Sequence, residues 1–129
     1  MSEAVTETDR PRDALVGKLK RTELQHQPSS IPGREIVQVL TEIPAGVESG
    51  WHMHPGEEVG YILAGTVEMR IKDQPTLVLH KGDPFLMPPN TPHNALDLGP
   101  DTGMMLSTYI VEVDQSLATF TDGPARPAT

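Results

Sequence analysis

Cysteine is absent from this chain of 129 residues, so no disulfide staples it and no thiol can act as a nucleophile. That absence does not by itself assign a compartment. Basic residues are scarce, with 10 Lys and Arg against 18 Asp and Glu and a formal net charge of −8. Nucleic acid and anionic membranes both require a positive footprint that this balance does not supply, so the expected partner is a small molecule. Long apolar runs are also missing. The first residues, MSEAVTETDRPRD, are acidic and polar with no apolar stretch behind them, which leaves no visible signal peptide or membrane span and makes the cytoplasm the expected location. Aromatic residues are few, but the hydrophobic share of 36% is ordinary for a globular protein.

What is present points to strands. The length suits one domain with its own core and leaves no room for a second. Thirteen prolines and eleven glycines, many in the middle of the chain, favour short strands joined by turns over helices, and no segment holds a helical period. Val67, Met69 and Ile71 alternate with Thr66, Glu68, Arg70 and Lys72, the pattern of a half-buried strand. Further strands are expected at 15–22, 35–43, 51–54, 57–64, 76–80, 84–87, 93–97 and 104–113. Turn chemistry separates them, as at Pro32-Gly33, Pro55-Gly56 and Pro88-Pro89-Asn90. Residues 1–13 and 121–129 carry no period and are expected to be flexible tails around a single domain at 14–120. The fold class is all-β, a sandwich or small barrel.

The densest chemistry lies at His52-Met53-His54, followed three residues later by Glu58. Side chains two apart on a strand share a face, so the two imidazoles point the same way. A turn at Pro55-Gly56 could return the chain antiparallel and bring Glu58 beside them. His93 offers a third imidazole. Three imidazoles and one carboxylate suit a divalent first-row ion such as Fe, Mn, Ni, Cu or Zn. By the same parity Gly60, Ile62 and Ala64 continue the inner face, where small residues would leave room for a ligand unless Gly60 marks only a close backbone contact. Phe85, Met87, Ala95 and Asp97 share the parity of His93, and Asp97 is one extra candidate acid or base. His80, at a strand end, and His26, in a polar loop, read as solvated side chains. Trp51, Met53 and Tyr61 fall on the opposite parity, Met104-Met105 read as core, and Tyr109 and Arg34 carry no assigned role.

The spacing also carries a resemblance. Gly46, five residues, His52-Met53-His54, three residues, Glu58, six residues and Gly65 reproduces the first motif of the cupin superfamily. Sixteen residues later, Gly82, five residues, Pro88-Pro89-Asn90, two residues, His93, three residues and Asp97 resembles the second. Asn90 stands where that pattern has Gly, a mild departure because Asn tolerates left-handed backbone. Asp97 stands where it has Asn. The resemblance implies a cupin-type double-stranded β-helix, or jelly-roll barrel, with a metal held by His52, His54, Glu58 and His93.

Cupins include dioxygenases, isomerases, epimerases, decarboxylases, cyclases and non-catalytic sensors. Four protein ligands on a six-coordinate ion leave two positions open, which fits catalysis. The expected function is therefore a metal-dependent dioxygenase, quercetinase-like, acting on an enolisable or phenolic substrate, with Glu58 as the catalytic base. A Lewis-acid isomerase or cyclase on the same site and a non-catalytic ligand-binding cupin are the alternatives. A sugar-nucleotide epimerase fits less well, since the cationic residues are scattered. The resemblance also implies a homodimer.

Overall fold

A computed structural model describes residues 13–123. Ten strands follow one another: β1 (Lys20–Pro28), β2 (Arg34–Ile43), β3 (His52–Met53), β4 (Gly56–Ala64), β5 (Thr66–Ile71), β6 (Leu77–His80), β7 (Pro84–Met87), β8 (His93–Asp97), β9 (Gly103–Glu112) and β10 (Thr119–Phe120). Among the described residues there is no helix. The strands form two five-stranded sheets, β1-β2-β9-β4-β7 and β10-β3-β8-β5-β6, paired antiparallel throughout. The fold is all-β, and its two antiparallel sheets agree with the jelly-roll barrel that the resemblance implied.

Alternation explains most of the strands. In β4 the burial of Gly56, Glu58, Gly60 and Ile62 against the exposure of Val59, Tyr61 and Leu63 follows a period of two. In β2 Val37, Val39, Thr41 and Ile43 point inward. Phe85, Met87, His93, Ala95 and Asp97 are all buried, as their shared parity predicted. The apolar core falls into two clusters. The larger gathers residues such as Ile43, Ile62, Val67, Met69, Met87 and Met105, and the smaller joins Val37, Val39, Tyr109, Val111 and Leu117. Each fully buried aliphatic side chain contributes about 1.5–3 kcal/mol relative to exposure.

The structure departs from the sequence reading in three places. The first strand starts later than expected and runs through His26, which is not in a loop. His26 Nε2 lies 2.7 Å from Glu35 Oε2 on the neighbouring strand. This segment is hard to read because it is an edge strand with mostly exposed side chains, held by backbone pairing to β2 rather than by an apolar face. Secondly, β3 and β4 do not form a hairpin. The chain crosses from one sheet to the other around Pro55, so Glu58 faces the histidines across the barrel interior. Thirdly, two residues at Thr119–Phe120 form a short strand against β3.

Residues 1–12 and 124–129, most of both expected tails, lie outside the described residues. Asp13 forms a parallel bridge with Ala118, and the Thr121 amide donates to the Trp51 carbonyl. The turns hold the two motifs together. Asn90 adopts a left-handed φ of 54°, and its amide donates to the His54 carbonyl at 2.8 Å, tying the second motif to the first.

Candidate metal centre

His52 and His93 are direct register partners on β3 and β8, and His54 follows β3 just before the crossing. The three imidazoles are buried, and each offers a ring nitrogen within 4.8 Å of the others. Their orientation is fixed from behind. His52 Nδ1 donates to the Gly50 carbonyl at 2.7 Å, His54 Nδ1 to the Leu117 carbonyl at 2.8 Å, and His93 Nδ1 to the Thr91 carbonyl at 2.8 Å. A carbonyl oxygen only accepts, so Nδ1 carries a proton in each ring and Nε2 is the atom turned inward. Asn94 secures this arrangement one step further out: its Oδ1 accepts from the Gly50 amide at 2.9 Å, holding the carbonyl that holds His52.

Glu58 completes the group from the opposite sheet. Its Oε1 lies 3.2 Å from His54 Nε2 and 3.4 Å from His93 Nε2. Its Oε2 accepts hydrogen bonds from Ser107 Oγ at 2.7 Å and from Tyr109 OH at 3.0 Å. Burial alone would push this carboxyl up, but the imidazoles of His54 and His93 outweigh burial and hold it well below the usual carboxylate range. His52 is driven down, first by burial and then by repulsion from His93 and His54, so its ring is neutral and able to ligate. His54 Nε2 is buried without a hydrogen-bond partner.

Unprotonated, the Nε2 atoms and the Glu58 oxygen are all acceptors, and acceptors facing one point in a buried space repel unless positive charge, either protons on the rings or a cation, lies between them. A divalent ion ligated by imidazole and carboxylate satisfies that demand, and carbonyl-anchored Nδ1 atoms are the usual outer support of such ligands. The three-histidine group could therefore hold a metal.

A small cavity of about 10 Å³ adjoins His52, Glu58 and His93, with Arg21, Tyr109 and Leu15 among its other walls. That is about the volume one water needs. Gly60 does not enlarge it. A Cβ built at Gly60 would sit within the Phe85 ring, so the glycine exists to seat that ring and no open space remains beside it. Ala64 lies at the far end of β4, beyond the irregularity at Ile62, and is not a wall of the cavity.

Asp97, the additional candidate acid or base, is buried at the opposite end of β8 from His93. Four residues at about 3.3 Å each separate it from the histidines by about 13 Å, so it takes no part in this site. Burial and the charge of Asp101 raise its carboxyl above the ordinary range. His80 is exposed at its strand end, as expected. Arg34 donates to the Pro55 carbonyl and does not line the cavity. Sequence reasoning left Tyr109 unassigned and missed Ser107, Arg21 and Asp13. The inward parity of Ser107 and Tyr109 on one strand is the signal that could have found the first pair.

Comparison with known proteins agrees with this fold. The family model described as the cupin domain matches residues 39–109, more than half of the chain. The dimethylsulfoniopropionate lyase DddQ of Ruegeria pomeroyi is 39% identical over 51 residues, which cover 40% of this chain and 25% of that relative. The chain therefore matches about a quarter of the length of the curated relative. The crystal structure of the same lyase superposes with a TM-score of 0.63 at 25% identity, over 70% of this chain and 45% of that one. A conserved protein from Klebsiella pneumoniae with a double-stranded β-helix domain superposes with a TM-score of 0.66 at 20% identity, over 92% of this chain and 89% of its own. Two motifs in register, one barrel and one matching family model lead to the same place: the chain belongs to the cupin family.

Proposed function

We propose that the protein is a metal-dependent enzyme acting on a small, oxygenated organic molecule, with His52, His54, Glu58 and His93 as metal ligands and Glu58 also as the catalytic base. The observation that carries this reading is the inward convergence of Nε2 lone pairs with Glu58 Oε1 in a buried space. When bound there, a first-row divalent ion such as Fe, Mn, Ni, Cu or Zn would polarise a substrate oxygen, and a redox-active one could also engage dioxygen. The protein supplies the rest. Burial of all four side chains keeps bulk water out, the Nδ1 bonds hold the rings still, and the donors on Glu58 Oε2 leave Oε1 as the oxygen that would hold the ion or, on leaving it, take a proton from a substrate carbon or hydroxyl.

Two forms of the chemistry use this site. Dioxygenase action on an enolisable or phenolic substrate is one. A Lewis-acid reaction, such as isomerisation, cyclisation or elimination, is the other, and it gains support from the similarity to a lyase. The cavity of about 10 Å³ takes a water or an ion, so in either case an organic substrate reaches the site only when the barrel opens. The acidic balance of the chain favours a small-molecule partner over nucleic acid or membrane. We further propose a homodimer through the outer face of the β1-containing sheet, where Val59, Tyr61, Leu63 and Leu86 are exposed side by side. Monomer mass by light scattering at all micromolar concentrations would dismiss the dimer.

The test of function is elemental analysis of untagged protein followed by incubation with enolisable acids under an oxygen electrode. Oxygen uptake with substrate loss supports the dioxygenase. An isomerised or eliminated product without oxygen uptake supports the Lewis acid. Tight binding with no product identifies a non-catalytic binder.

A further inference from the structure

Buried behind Glu58 is a chain of polar groups that neither cupin motif contains. Asp13 Oδ2 accepts from Arg21 Nε at 2.9 Å and from Nη2 at 2.7 Å. Arg21 Nη1 donates to Thr41 Oγ1 at 2.8 Å and to Tyr109 OH at 3.0 Å. Tyr109 OH in turn donates to Glu58 Oε2. The Arg21 side chain is 2% exposed and Tyr109 is fully buried, so bulk water does not compete for these bonds.

Donor and acceptor arithmetic gives this chain one direction. A guanidinium has no acceptor, so the bond between Arg21 and Tyr109 consumes a lone pair of the phenol oxygen and leaves its single proton for Glu58. Thr41 takes the other Nη1 proton, and Asp13 fixes the fork from the opposite side. Ser107 donates to the same Glu58 oxygen. The carboxylate is thereby split: Oε2 is saturated by two hydroxyl donors, and Oε1 alone faces the imidazoles. The guanidinium also lies over the Tyr109 ring, 5.5 Å from its centroid, which restricts the phenol further.

We propose that Arg21 and Tyr109, anchored by Asp13, are positioning residues that hold Glu58 as a one-oxygen ligand. The inference rests on the metal-site reading above. It implies that strand β1 and the segment before it, remote from both motifs in sequence, set how the carboxylate meets the ion. Such outer supports typically alter metal affinity by about 10- to 100-fold.

The test uses Co(II) alone as the probe, read by its visible ligand-field absorption and by titration. Tyr109→Phe keeps the ring and its packing but removes the hydroxyl. It should weaken Co(II) binding by about 10-fold and shift the absorption bands, and the same change should have no further effect in a Glu58→Gln background. Arg21→Lys, which keeps the charge but loses the fork, should shift the bands in the same direction by less and serves as the readout should Tyr109→Phe fail to fold. An unchanged spectrum and affinity in Tyr109→Phe, or an equal loss with and without Glu58, would reduce the network to packing and overturn the proposal. If the unaltered protein takes up no Co(II), the metal-site reading fails and this one falls with it. Co(II) uptake that depends on His52 and His54 but ignores Tyr109 and Arg21 sinks this inference alone.

Discussion

The two ends of the barrel each bury a carboxylate, and they treat it in opposite ways. At one end Glu58 meets two imidazoles and two hydroxyl donors, and its carboxyl is held well below the usual range. At the other, Asp97 has the Gly99 amide on Oδ2 and nothing on Oδ1, which is buried against Gly103, and its carboxyl is raised. Both side chains are almost wholly shielded from water. Burial raises both groups, so the difference between them comes from what burial brings near. A charge surrounded by matched donors and cations is an instrument, whereas the same charge left with an orphaned oxygen costs stability.

That contrast can be broken first at the well-served end. His52→Ala combined with His54→Ala should take metal from about one ion per chain to near zero in elemental analysis, with the barrel retained by circular dichroism. Full metal content in the double variant would move the site elsewhere. Glu58→Gln should lower turnover by about 100-fold or more through loss of a proton acceptor, while metal content falls by a smaller factor. Parallel loss of both would make Glu58 a ligand and nothing else.

The poorly served end should respond in the reverse sense. Asp97→Asn keeps an acceptor for the Gly99 amide and removes the buried charge, so it should stabilise the fold at neutral pH by about 1–2 kcal/mol, read as a rise in Tm. The effect depends on pH with a definite sign. Because the folded state raises the Asp97 carboxyl, the native protein binds this proton more tightly than the unfolded chain does. Its contribution is fully present below the unfolded value, near 3.9 for a model Asp, and is lost as pH rises through the elevated folded value. The advantage of Asn over Asp should therefore be smallest in acid and grow toward neutrality. A constant Tm difference from about pH 4 to pH 8 would show that Asp97 is not desolvated in the fold.

How far sequence reached can be argued from the same residues. The histidines, Glu58 and the inward parity of β4, β7 and β8 were legible because period two and fixed spacing are local properties. What Glu58 would face was not. The expected hairpin at Pro55-Gly56 is a crossing between sheets, and the groups on Oε2 come from β9, far along the chain. Arg21 falls within the strand expected at 15–22, which the structure shifts to Lys20–Pro28, but with no apolar alternation there its burial did not announce itself. Gly60 illustrates the same limit. An absent side chain reads equally well as open space or as a seat, and the Phe85 ring that decides between them belongs to another strand.

The closure of the site has a kinetic meaning. All four proposed ligands are buried, and the turn segment after Asp13 places Leu15 and Leu19 against the cavity they border. An ion held there exchanges only when the barrel breathes, so its residence time is governed by an opening event as well as by the strength of its bonds. Increasing chelator concentration should therefore accelerate metal loss only up to a ceiling, and that ceiling measures how often the protein opens itself.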